Sequence, residues 1–145
     1  MRKLFLLTVT IWVCMVSTFA EEHNNFFSKY NFSFITEEAG LPHNYIDDIY
    51  KDSQGYIWVA THNGIGRYNG YQFLHYDTRT SSVKLKSNFV HKICEDNYQR
   101  LWIGTEEGIN FIDLSNYQEV HLTSDVYPEI NDIFNSNIET FYKDQ

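Results

Sequence analysis

Cysteine and basic side chains are scarce in this sequence, and their scarcity removes whole classes of function. Of the two cysteines, Cys14 lies in an apolar N-terminal stretch, which leaves Cys94 as the single cysteine of the chain that follows. That excludes an internal disulfide framework and a cysteine-built metal cluster, and it reads Cys94 as a small apolar packing residue. Lysine and arginine number 11 against 19 aspartates and glutamates, a net charge of −8. Such a surface repels phosphate backbones and anionic lipid, so nucleic acid is not an expected partner. The six histidines are scattered rather than set at metal-ligand spacing. No nucleophile motif is present and no carboxylate pair recurs in an equivalent context, so neither a catalytic residue, a metal nor a cofactor is expected. Asp47-Asp48 is read as a solvated turn.

Long apolar runs are missing too. The longest, Leu4 to Val16, falls short of the ~20 residues that cross a bilayer comfortably. It follows Arg2-Lys3 and precedes Thr18-Phe19-Ala20, a basic n-region and a small-x-small cleavage site. Residues 1–20 therefore read as a signal peptide cleaved after Ala20, with an uncleaved membrane anchor as the lesser reading. Bulky Trp12-Val13 ahead of Cys14 argue against lipid attachment. Losing two cations and no anions takes the net charge from −8 to −10.

What is present is a repeat. Residues 44–69, NYIDDIYKDSQGYIWVATHNGIGRYN, align without a gap to residues 88–113, NFVHKICEDNYQRLWIGTEEGINFID. Asn44/Asn88, Ile49/Ile93, Asp52/Asp96, Trp58/Trp102, Thr61/Thr105, Gly64/Gly108 and Ile65/Ile109 are identical. A third copy opens at residues 137–144, NIETFYKD, against residues 45–52, YIDDIYKD. A period of this length signals a repeat fold. Each copy reads as four short strands: one around Ile49-Tyr50, then Tyr56 to Thr61, Ile65 to Tyr68, and Tyr71 to Tyr76. Asn69-Gly70 makes the last hairpin turn, and Tyr117 to Leu122 is the fourth strand of the second copy. Ile57 and Val59 face one way and Trp58 and Ala60 the other, so this strand is expected to be covered on both sides. Trp58 and Trp102, at equivalent places, are expected between blades. Ile46 and Ile49 are three apart, which is not strand spacing, so the first strand is expected to begin near Asp48.

Four-stranded units of this length build β-propellers. The fold class is accordingly all-β: a partial propeller of four-stranded antiparallel blades, two blades plus the start of a third. The boundaries are 1–20 for the signal peptide, 21–43 for an N-terminal extension, 44–87 and 88–135 for the two blades, and 136–145 for the third. Trp58-Val59 and Trp102-Ile103 lack the Trp-Asp pair of WD40 blades, and the paired glycines of kelch blades are absent. The run from Asp52 to Ile65, Asp-x-x-Gly-x-Ile-Trp-x-x-Thr-x-x-Gly-Ile, resembles the two-component regulator propeller repeat. Residues 34–44 resemble the stretch that precedes the first blade of that family. Ala60 replaces a usual glycine, and Gln99-Arg100 the second copy's turn glycine.

That resemblance implies an exported, periplasmic, ligand-sensing region of a hybrid two-component protein, commonly glycan-responsive. It also implies that residues 30–36, with Tyr30, Phe32 and Phe34 alternating, are the outer strand of another, last blade. No kinase, receiver or second membrane segment is recognisable within these residues, so the chain reads as the N-terminal piece of a larger sensor. The second reading is a stand-alone binding module that completes a propeller with another chain. A glycan-active enzyme ranks below both. Successive turns of an antiparallel meander alternate between two ends of the sheet. His62 and Asn63, Glu106 and Glu107, and the links 77–87 and 123–135 share one end. These four residues are the candidate ligand contacts, and an oligosaccharide is the candidate ligand. Two blades in a row leave both outer faces bare, so the remaining blades, a partner chain or self-association are the expected partners. N-terminal sequencing of exported protein is expected to begin at Glu21; recovery of the intact chain in the membrane would show an anchor instead.

Overall fold

A computed structural model describes residues 31–79, 82–121 and 132–142. The chain divides into two compact units, residues 1–34 and 35–145. The signal-peptide reading, Tyr30, Leu122 and most of the link 123–135 lie outside the described residues. In the first unit Phe32 and Phe34 are exposed. Residues 31–36 join no sheet. A strand exists only against a ladder partner, and the blade to which the family resemblance assigns this segment is neither of the two described below.

The second unit holds two four-stranded antiparallel sheets in simple meander order. The first comprises β1 (Ile46–Lys51), β2 (Ile57–Thr61), β3 (Gly64–Tyr68) and β4 (Phe73–Tyr76). The second comprises β5 (Val90–Glu95), β6 (Arg100–Thr105), β7 (Gly108–Asp113) and β8 (Gln118–Glu119). Two single-turn 3-10 helices, Glu37–Ala39 and Ile133–Asn135, complete the described elements.

Two expectations from sequence need correction. The inner strand begins at Ile46 rather than near Asp48, because Ile46 pairs with Thr61 and Asp48 with the adjacent Ala60. Asp47 is thus an extra residue, a β-bulge, and that bulge is what places Ile46 and Ile49 three apart. The second sheet repeats it, with Val90 opposite Thr105 and Lys92 opposite Gly104, so His91 is extra. The fourth strand begins at Phe73 rather than Tyr71, and among the described residues its counterpart in the second sheet is Gln118–Glu119 rather than 117–122. Asn69 Oδ1 accepts hydrogen bonds from the backbone N–H groups of Tyr71 and Gln72, both at 2.9 Å, which holds residues 69–72 as a four-residue turn.

The core lies between the sheets. Trp58, Ala60, Ile65 and Tyr76 of the first sheet pack with Val90, Ile93, Leu101, Ile103 and Ile112 of the second, and with Val83 and Leu85 of the link. In cores of this kind, cutting a buried tryptophan to alanine costs about 3–5 kcal/mol. Trp58 is fully buried as expected; Trp102 is half-buried, in a separate cluster with Ile109, Phe111, Phe134, Val120 and Ile138. The expectation of two bare outer faces is therefore half right. The face of Trp102 and Gly104 is covered by residues 134–141, while the far face of the first sheet exposes Ile46, Ile49 and Ile57.

Each tryptophan is tied to the turn before its strand. Asp52 Oδ1 accepts from the N–H groups of Gln54 and Tyr56, at 3.0 and 2.9 Å, and its Oδ2 accepts from Trp58 Nε1 at 2.7 Å. Asp96 does the same with Tyr98, Arg100 and Trp102, the last at 2.9 Å, and takes Arg100 Nε at 2.7 Å as well. The turn residue at the equivalent place is left-handed in both copies, Gly55 at φ 95° and Gln99 at φ 58°. Burial alone would raise the pKa of Asp96, but the hydrogen bonds from Trp102, Arg100 and Tyr98 outweigh it and hold the carboxyl below the usual range. Asp113, bonded by Ser115, is displaced the same way. A carboxyl whose folded pKa is depressed adds stability above its unfolded value, about pH 3.9, and that contribution disappears as pH falls through the folded pKa. The denaturation midpoint of the chain is thus expected to drop below about pH 4. Asp96→Asn should lower it at neutral pH and flatten the acid limb; an acid limb as steep as in the parent would disprove this role for Asp96.

Candidate functional site

The two sheets bring chemistry together at the end where β2 turns into β3. Thr61 Oγ1 donates to the Gly64 carbonyl at 2.7 Å and accepts from the Asn63 N–H at 3.1 Å, which closes a tight turn with His62 and Asn63 at its tip. Gly64 has φ 92°, and a Cβ there would sit 2.3 Å from the Tyr76 carbonyl oxygen, so no other residue fits. Thr105, Glu106, Glu107 and Gly108 repeat the arrangement in the second sheet, at 2.8 and 3.2 Å.

The β1 bulge then decides what surrounds His62. As the extra residue, Asp47 is turned out of the regular alternation and its carboxylate lies between two imidazoles. Its Oδ2 is 2.7 Å from His91 Nδ1, on the bulge of the second sheet, and its Oδ1 is 3.4 Å from His62 Nε2. Rings stack on the outer side of His62: Tyr45 at 4.5 Å between centroids and His43 at 6.2 Å, with Phe89 tilted against it at 5.4 Å. Tyr45 is 64% exposed and Phe89 44%, so one side of this stack faces solvent. Asn63 donates to the Pro42 carbonyl at 3.3 Å and accepts from Asn88 Nδ2 at 3.5 Å, which fixes the amide edge beside the rings.

Of the four residues singled out from sequence, His62 and Asn63 stand at this cluster. Glu106 and Glu107 occupy the same turn one sheet on and are exposed; the Glu106 N–H donates to the Phe89 carbonyl at 3.0 Å, as the His62 N–H does to Tyr45 at 3.3 Å. Tyr45, Asp47, Phe89 and His91 were missed. Asp47-Asp48 is not a solvated turn: Asp48 Oδ2 accepts from the Ile93 N–H at 3.0 Å and meets Lys92 Nζ at 3.1 Å, so both acids bridge the sheets. The odd spacing of Ile46 and Ile49, repeated by Val90 and Ile93, was the signal that a bulge had to re-aim the residue between. The link 77–87 is largely structural, with Val83 and Leu85 buried. At its end Lys86 N–H donates to Asn110 Oδ1 and its ammonium bonds the Phe134 carbonyl. Lys86 contributes to a groove of about 200 Å³ with Asn110, Glu119 and His121. Burial lowers its pKa against an opposing pull from Glu119. Among the described residues no group of three or more His, Cys, Asp or Glu is placed to hold a metal ion.

Two tandem four-stranded meanders, each with an Asp-turn bonded to a tryptophan six residues on, now have a counterpart outside this chain. The profile of the two-component regulator propeller family matches residues 40–63 and 84–107, once on each sheet. Both repeats are thus similar to the two-component regulator propeller repeat. The structure is similar to the extracellular domain of BT3049 of B. thetaiotaomicron, described as a hybrid two-component system, with a TM-score of 0.54 and 27% identity over 61% of this chain. It is similar also to the extracellular domain of BT4673 from the same organism, with a TM-score of 0.53 and 30% identity over 63% of this chain. The match spans only 13% and 14% of those two domains. Among curated proteins none matches. Among the described residues no helix is long and apolar enough to cross a membrane.

The Asp47–His91 contact joins the two repeats through a charge-assisted bond at a quarter-exposed position. Asp47→Ala, His91→Ala and the double variant are expected to give a coupling of about 0.5–1 kcal/mol in a double-mutant cycle followed by urea denaturation, shrinking in 1 M salt. Additive single effects would show that the contact does not hold the repeats together.

Proposed function

We propose that this chain forms part of the exported, ligand-sensing propeller of a two-component signalling protein, and that it takes no catalytic part itself. The family of both repeats and the extracellular neighbours support that setting. The ligand surface is the ring stack of Tyr45, His62 and Phe89, and the ligand class is a neutral oligosaccharide. The single observation that carries this reading is the open side of that stack, with an amide (Asn63) and a carboxylate (Asp47) fixed beside it. A flat aromatic or imidazole face offers an apolar platform to the C–H side of a sugar ring, while neighbouring amide and carboxylate groups orient hydroxyls. The chain's net charge of −8 works against sulfated or uronic polymers and leaves neutral glycans as the better fit.

The test uses the full chain and a panel of neutral oligosaccharides (maltohexaose, cellohexaose, mannohexaose, xylohexaose), with heparin hexasaccharide as the charged comparison. Saturation-transfer NMR is expected to show contact with a neutral member, lost at least tenfold in Tyr45→Ala and retained in Tyr71→Ala, which alters an exposed residue in the turn at the other end of the sheet. Binding of the heparin fragment alone, or binding indifferent to Tyr45, would overturn this assignment.

A further inference from the structure

Of the asparagines in the sequence, only Asn63 and Asn69 are followed by glycine. Such a pair can react with itself. The backbone nitrogen of the second residue attacks the asparagine side-chain carbon, and glycine, without a Cβ, leaves that approach open. Asn63-Gly64 lies at the β2–β3 turn and Asn69-Gly70 at the β3–β4 turn, so sequence alone ranks the two equally. Their surroundings differ.

At Asn63 the reacting groups are tied down. The Gly64 N–H, whose nitrogen would attack, donates to the Asn88 carbonyl at 2.7 Å. Asn63 Nδ2, which would leave, donates to the Pro42 carbonyl at 3.3 Å, and Oδ1 accepts from Asn88 Nδ2 at 3.5 Å. Gly64 is itself buried against the Tyr76 carbonyl.

At Asn69 the nucleophile and the leaving group are free, and only the carbonyl oxygen is held. Gly70 is exposed, with nothing within 4 Å of where its Cβ would sit. Neither the Gly70 N–H nor Asn69 Nδ2 meets an acceptor among the described residues. Asn69 Oδ1 accepts from the Tyr71 and Gln72 N–H groups, both at 2.9 Å. That oxygen gains negative charge when the side-chain carbon becomes tetrahedral, and fixed N–H donors stabilise such an oxyanion.

We infer that Asn69 is a site of spontaneous deamidation and that the fold spares Asn63. The Gly70 nitrogen, having given its proton to water, bonds to Asn69 Cγ. The Cγ–Nδ2 bond breaks, Nδ2 leaves as ammonia, and a five-membered succinimide remains. Water then opens either carbonyl–nitrogen bond of the ring and gives aspartate or isoaspartate. The net change is one water taken up and one ammonia released, with no oxidant or reductant. The product puts a negative charge into residues 69–72, and isoaspartate adds a methylene to the backbone of that turn. The inference is independent of the sugar reading, whose amide, Asn63, it leaves unchanged.

Trypsin cleaves after Lys51, Arg67 and Arg79, which places the two pairs on separate peptides, 52–67 and 68–79. The folded full chain is held in mildly alkaline buffer, sampled over time, digested and read by mass spectrometry. Peptide 68–79 is expected to gain one mass unit, as both aspartate and isoaspartate. Peptide 52–67 should convert slower by about tenfold or more, because a hydrogen-bonded turn reacts only through local opening. In concentrated urea the two peptides should convert at rates within about twofold of each other, since the difference belongs to the fold. Equal rates in the folded chain, faster conversion of 52–67, aspartate as the sole product, or the same ranking in urea would overturn the inference.

Discussion

Everything in these repeats hangs on one hydrogen bond, from the tryptophan indole N–H to the carboxylate of the turn aspartate six residues before it. A buried indole is a large apolar surface with one polar atom, and that atom must find an acceptor. Asp52 and Asp96 supply it with one oxygen and use the other to take two backbone N–H groups of the turn. The same carboxylate thus shapes the β1–β2 or β5–β6 turn and locks the ring, which fills the space between the sheets for Trp58 and lies under residues 134–141 for Trp102. Turn geometry, strand register and packing between copies cannot vary separately. That is why Asp, Trp, Thr and Gly are identical in the two copies while most other positions differ.

Where the copies differ, different chemistry does the same packing. The residue opposite the tryptophan is Arg67 in the first sheet and Phe111 in the second. Phe111 meets Trp102 edge-on at 4.7 Å. The Arg67 guanidinium lies 3.8 Å from the centre of the Tyr117 ring and 4.8 Å from that of Tyr56, a flat cation in the corner of two rings set edge to face. One of its terminal nitrogens is buried without a hydrogen-bond partner, a cost that cation–π attraction of about 0.5–2 kcal/mol offsets.

The repeat length, strand count and burial of Trp58 were legible because they are one-dimensional signals: a period, alternation, and residues identical at a fixed offset. The bulges were half legible. The three-residue spacing of Ile46 and Ile49 shows that alternation fails there, but only pairing shows that Asp47 is the residue left over. The site was least legible, because its partners come from different copies. Asp47 and His91 occupy the same position of the repeat, so comparing the copies sets an acid against an imidazole and registers a mismatch. In three dimensions the mismatch is the contact.

That complementarity has a direction. The bulge residue is Asp47 in the first copy and His91 in the second, and the turn tip is His62 in the first and Glu106 in the second. Among the described residues an acid meets two imidazoles only at the junction of the first copy with the second, where Tyr45 and Phe89 both flank the turn histidine. At the next junction the same three places are held by His91, Glu139 and Glu106, so acid and imidazole exchange positions. Positions shared by the copies build the blades, and positions that differ give one junction a surface its neighbours lack. A binding site confined to one junction can answer to a single ligand even though the scaffold under it is periodic.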